Sequence, residues 1–167
     1  MKGQIETYIK QLNLKPHPEG GYFRETYRST GSFEYFAPDN SLVGERNYST
    51  CIYFLLTKET FSAFHRIRQD ETWHFYAGAP LDLHMISPEG AYSKVVIGNN
   101  IENGELFQFV VPGGYWFAAE VNGEAGFSLL GCTVAPGFDF SDFELAKGNE
   151  LSEDFPKHKD TILRLTR

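Results

Sequence analysis

The chain has 167 residues, a formal net charge of -7 and 16% aromatic residues, including 15 Phe and 9 Tyr. The acidic balance argues against a nucleic-acid polymer or an anionic membrane surface as partner, because phosphate binding needs clustered Lys and Arg. The sequence shows no apolar run of spanning length and no basic-plus-apolar leader, and its two cysteines, Cys51 and Cys132, are too few for a secreted disulfide framework. The expectation is a cytoplasmic protein with reduced thiols, forming one domain over residues 1–167.

Ile5, Tyr8, Ile9 and Leu12 recur at helical spacing, which predicts one amphipathic helix over 2–14, ended by Pro16 and Pro18. From Gly21 the period changes to that of strands, predicted near 21–28, 49–57, 60–67, 71–78, 81–87, 92–97, 106–111, 115–121, 126–134 and 139–145. Glu89-Gly90, Asn103-Gly104 and Asn122-Gly123 are turn signals, since Asn and Gly tolerate positive φ. Segment 32–47 lacks periodicity and reads as a long loop near an opening; the tail, 149–166, reads as one or two short helices. Many short strands with regular turns make the chain all-β, a sandwich or barrel.

Residues two apart on a strand share a face, so His65 and Ile67 point inward, followed after a turn by Glu71, Trp73 and Phe75. A histidine facing a carboxylate inside a barrel has two readings: a buried pair that only supports the fold, or a general base with its orienting partner. Gly20-Gly21 lead into Tyr22-Phe23-Arg24-Glu25, where Arg24 and Glu25 alternate faces. These two are either solvated edge residues or ligand contacts, with Arg24 suited to a phosphate or carboxylate. Tyr53, Trp73, Phe75, Tyr115, Trp116 and Phe117 lie on strands predicted to line or flank the barrel: each is either a core residue or, with His65 and Glu71, part of a pocket for a planar or sugar-like ligand.

The spacing His65-x5-Glu71-x6-Gly78, followed by Pro112-x-Gly114, resembles the two motifs of the cupin superfamily. Its fold is a double-stranded β-helix, or jelly-roll barrel, and the resemblance implies that fold here, with a short N-terminal helix and short C-terminal helical segments. Longer blocks resemble the cupin-5 branch: His17-Pro18-Glu19-Gly20-Gly21-Tyr22-Phe23-Arg24-Glu25-Thr26, Thr50–Leu56, Asp70–His74 and Val134–Phe138. The usual motifs carry a second and a third histidine where this chain has Ile67 and Phe117. With two of four ligands missing, no metal or other cofactor is expected. A metal would need His65 and Glu71 joined by His74, or by His84, through a strand bulge. Gly21-Tyr22-Phe23-Arg24-Glu25 is also similar to the early strand of dTDP-sugar 3,5-epimerases, where such residues contact the substrate's nucleotide. Those enzymes use a barrel histidine as base without metal.

The leading expectation is a metal-independent epimerase or isomerase acting on a sugar-like or nucleotide-linked small molecule. His65 would be the base, Glu71 its partner, Arg24 an anion contact, and Glu25, Tyr53, Trp73, Phe75 and Phe117 the remaining contacts. The alternatives are a non-catalytic ligand-binding cupin and a metal-dependent dioxygenase. The resemblance further implies a homodimer.

Overall fold

Strands alternating large apolar with polar residues have one face to bury, and a second sheet packed against it is one way to do so. In a computed structural model that describes residues 2–37, 40–123 and 126–167, the chain does so. Helix α1 (Lys2–Gln11) leads into β1 (Lys15–Pro16), β2 (Tyr22–Arg28), β3 (Ser32–Phe36), β4 (Leu42–Asn47), β5 (Thr50–Thr57), β6 (Phe61–Arg66) and β7 (Glu71–Gly78). There follow β8 (Leu81–Ile86), β9 (Tyr92–Ile97), β10 (Gln108–Val111), β11 (Trp116–Val121), β12 (Phe127–Val134) and β13 (Glu144–Leu145), then α2 (Gly148–Asp154) and α3 (Lys159–Arg164). One sheet runs β1-β2-β5-β12-β7-β10 and the other β13-β6-β11-β8-β9, with every strand pair antiparallel.

The two inner faces share one core, to which Phe54, Trp73 and Leu130 come from the first sheet and Leu83, Met85 and Phe117 from the second. The outer face of the first sheet is covered by α1 and the turn after it, from which Ile5, Tyr8, Ile9 and Leu12 pack on Leu55, Phe127 and Leu129. The outer face of the second carries α2, α3 and the residue that caps α3, through Leu151, Ile162 and Leu165 against Phe64, Ile86 and Trp116. No helix among the described residues is long and apolar enough to cross a membrane.

Two segments differ from the sequence-based expectation. Segment 32–47 is not a loop: β3 and β4 form a separate hairpin, with residues 38 and 39 outside the described set. Apart from buried Arg46, its residues are half-buried or exposed, so it carries no apolar alternation. Residues 139–145 are not one strand but a 3-10 turn, Phe140–Asp142, then β13. Asp139 caps the turn by accepting from Ser141 N at 2.8 Å. Buried Asp142 accepts from Arg46 Nε (2.7 Å) and Nη2 (2.8 Å) and from Gln69 Nε2 (2.6 Å). This clamp fixes the turn that carries Phe140 and Phe143.

Candidate functional site

Between the sheets, at the end closed by that turn, lies a cavity of about 240 Å³. At its base stands Glu19, supplied by the segment before β2 rather than by the barrel. Gly20 and Gly21 place it there: their φ values are +119° and +70°, and a Cβ on either would run into the carbonyl of Phe61 or Leu55. The turn is tied by His17 N donating to Gly21 O (3.0 Å) and Ala63 N donating to Glu19 O (2.8 Å).

The Glu19 carboxyl links several groups. Ser62 Oγ donates to Oε1 at 2.7 Å, while Oε2 lies 3.1 Å from His65 Nε2 and 3.4 Å from His17 Nδ1. His65 Nδ1 lies 2.8 Å from Ala63 O, which can only accept, so Nδ1 carries a proton and donates. Nε2 of the neutral ring is therefore bare, and the contact with Glu19 needs a proton between them. Burial raises Glu19 well above the usual carboxylate range, reinforced by the nearby charge of Glu71 and opposed by Ser62 and Arg167. Burial lowers His65 to about 3 and His17 to about 4. Both shifts favour a neutral pair, a protonated Glu19 donating to His65, over an ion pair.

Glu71 lines the same cavity, and burial lifts its pKa to about 7. The Cys132 thiol and the Trp73 indole N–H act in the opposite direction. The indole falls short of hydrogen-bond geometry, so Trp73 Nε1 is buried without a partner among the described residues. The Cys132 thiol is itself raised, first by burial and then by Glu71.

The structure brings His65, Glu71 and Glu25 to the cavity together with Ile67. His65 and Glu71 are not joined as a dyad, because Ala63 O and Glu19 take both ring nitrogens. Arg24 points to the other face of β2, 5.6 Å from the centroid of the Tyr53 ring, so neither lines the cavity. A register shift between Glu25 and Tyr27 resets the parity of β2 and brings Arg28 to the cavity instead. Trp73, Phe75 and Phe117 belong to the main core. The Phe117 ring centroid lies 4.0 Å from that of His65, so a side chain at a usual ligand position packs on the histidine.

His74 lies on the outer face of its sheet, 3.1 Å from Thr133 Oγ1, and cannot join His65 and Glu71. His84 is likewise outside, between Tyr92 and Glu120. Among the described residues, three ligand atoms converge at Asp82, His84 and Glu120, not in the cavity. There Lys94 and Arg164 already neutralise the carboxylates. Neither donor set fits the metal shell usual for the fold. Glu19, His17, Arg28, Phe138, Phe140 and Phe143 line the cavity without having been singled out from the sequence as site residues. The paired glycines after Glu19 were the available signal.

An antiparallel double sheet with a ligand-sized cavity between its halves is the architecture of a cupin barrel. A family model, Cupin superfamily (DUF985), matches residues 6–146, and the chain belongs to this family. It is similar to the uncharacterized protein YML079W of Saccharomyces cerevisiae, 34% identical over 163 residues, covering 92% of this chain and 79% of that protein. Among solved structures, a hypothetical protein from Leishmania major is 40% identical with a TM-score of 0.88, covering 96% of this chain and 97% of that one. Protein SO0799 from Shewanella oneidensis is 42% identical with a TM-score of 0.86, covering 97% and 96%.

Proposed function

We propose that this cupin is a metal-independent enzyme of the isomerase or epimerase type, moving a proton next to a carbonyl in a small molecule. The observation that carries the reading is that two separate proton-holding units, Glu71 and the Glu19–His65 pair, face one cavity. Epimerisation by inversion uses one group to take a proton and another to return one, and groups whose environments push their pKa values apart can divide those roles. Glu71, near neutrality, is the group that takes the proton. Glu19–His65 supplies or relays one through His17, 3.4 Å from the same carboxyl oxygen. The histidine is a member of the pair rather than the free base, since Glu19 occupies its Nε2. A nucleotide or phosphate contact through Arg24 is not part of the proposal, because Arg24 faces away.

The test is proton exchange in heavy water with a panel of small carbonyl compounds, read by NMR. Deuterium entering the carbon beside the carbonyl, and lost in Glu71→Gln and Glu19→Gln, supports the reading. A compound that binds in the cavity without exchange would leave the second reading, a non-catalytic ligand-binding cupin. That reading is favoured by the low basicity of His65. We also propose a cytoplasmic homodimer of single-domain chains. The β3–β4 hairpin exposes Phe33, Phe36 and Leu42, and light scattering decides the assembly.

A further inference from the structure

The cavity's titratable side chains are mostly acidic. Glu19, Glu25, Glu71 and Asp139 line it with one guanidinium, Arg28; burial favours the protonated form of Glu19 and holds Glu71 near neutrality, where an adjacent cation would ionise it. That guanidinium is already committed: Nε and Nη2 donate to both oxygens of Glu25 at 2.9 and 2.7 Å. Nη1 donates to Asn47 Oδ1 at 2.8 Å, and Nη2 also donates to Phe138 O at 3.1 Å. An anionic ligand would meet the carboxylates of Glu25 and Asp139, would oppose ionisation of Glu71, and would have to break the Glu25 fork to gain a cation. The rest of the wall is aromatic, with Phe23, Phe54, Phe138, Phe140 and Phe143. Ring faces carry negative quadrupole potential, so such a wall favours a cation or a flat uncharged ring over an anion. Glu71 is buried, and no Lys or Arg side chain pairs with it among the described residues. A buried carboxylate lacking a counter-charge is costly, and a ligand cation would remove that cost. Once ionised, Glu71 also has a donor beside it in Trp73 Nε1.

We propose that the cavity selects a small ring-bearing amine, with its ammonium group paired to Glu71 and its ring among the phenylalanines, and rejects phosphate- and carboxylate-bearing compounds. The inference rests on this cavity being the ligand site but not on the proton transfer proposed there. Among carbonyl compounds, it makes amino-substituted ring compounds the substrate class.

The test uses matched probes, each ring (phenyl, naphthyl) offered as its methylamine, its methanol and its carboxylate, titrated calorimetrically into the full chain at neutral pH. The expected result is that the amine binds about 10-fold or more tighter than the alcohol of the same ring, with the carboxylate weakest. In Glu71→Gln the amine should fall to the level of the alcohol, which keeps its affinity. If that variant does not fold, the side-chain carboxyl 13C signal of Glu71 in the unmodified chain serves instead. Adding the amine at neutral pH should move it to the ionised position, and adding the alcohol should not. A carboxylate that binds as well as the amine, three equal affinities, an unmoved Glu71 signal or no binding by any probe would overturn the proposal. Amine binding without proton exchange would defeat the isomerase reading and keep this one. Exchange on substrates with a preference for anions would do the reverse.

Discussion

His65 Nε2 lies 3.1 Å from Glu19 Oε2, and its other ring nitrogen is spent on Ala63 O. The link joins β6 to the segment that precedes β2, so the N-terminal block is part of the cavity floor. Because the proton sits on Glu19, the pair should tolerate an amide. The amide introduced by Glu19→Gln can still accept from Ser62 and donate to the bare Nε2, so this variant should cost under about 1 kcal/mol. Glu19→Ala orphans the ring nitrogen and should cost about 1–3 kcal/mol. Had the pair been ionic, Glu19→Gln would leave an uncompensated buried charge and cost about 3–5 kcal/mol. Urea melts of the two variants decide between these outcomes. An NMR titration should also show no protonation of His65 between pH 5 and 8, given a pKa of about 3.

The Arg46–Asp142 pair should matter to both stability and binding. Asp142 is buried and takes two bonds from Arg46 and one from Gln69. Asp142→Ala leaves the Arg46 guanidinium buried without its partner, at a cost of about 3 kcal/mol. It also releases the turn that holds Phe140 and Phe143 against the cavity. Denaturant melts paired with ring-probe titrations should show both losses. Lost stability with unchanged binding would mean that the turn keeps its place without the clamp.

Gly20 should be irreplaceable for reasons of both conformation and space. Gly20→Ala asks an L-residue to adopt φ +119° and sets its Cβ against the Phe61 carbonyl. The expected loss is about 1–3 kcal/mol, with displaced His65 ring signals as Glu19 moves off. Gly104→Ala is the control: its φ is +78° but a Cβ there meets nothing, so the cost should be about 1 kcal/mol, with His65 unaffected. Melts and ring NMR spectra of the two variants make the comparison.

These residues also show how far the sequence could be read. The inward facing of Glu71 followed from period-two parity, since β7 is regular from Glu71 to Phe75, and that of His65 held although β6 shifts register between Ser62 and His65. Arg24 faces away by the same alternation that turns Glu25 inward, while Arg28 reaches the cavity through the β2 register shift, a one-residue event that leaves no apolar signature. Glu19 precedes its strand, so no periodicity governs it; two positive-φ glycines and a bond to Ala63 fix its position. The β3–β4 hairpin escaped for a related reason: strands whose residues are nearly all half-buried or exposed show no apolar alternation. The phenylalanines of 138–143 depend on Asp142 finding Arg46, 96 residues away in sequence.

Glu71 should leave its mark on the pH dependence of stability. Its folded-state pKa is about 7, against an ordinary value of 4.5. Between those values the folded chain holds a proton on Glu71 that the unfolded chain has released, so stability from this group falls as pH rises and levels off above about 7. The full effect of a buried carboxyl shifted this far is on the order of 3 kcal/mol. His17 and His65 act on the acid side: their lowered values make the unfolded chain bind more protons below pH 6.5, so stability falls as pH drops from there. Glu19, also raised, adds to the alkaline loss. Subtracting the unmodified chain from Glu71→Gln isolates the one carboxyl. The difference in melting temperature should grow in favour of the variant from pH 5 to pH 8, at roughly 2–4 °C per kcal/mol, and flatten beyond. A difference that stays constant across that range would show that Glu71 titrates normally. It would then lack the poise that both proton transfer at neutral pH and capture of an ammonium group require of it.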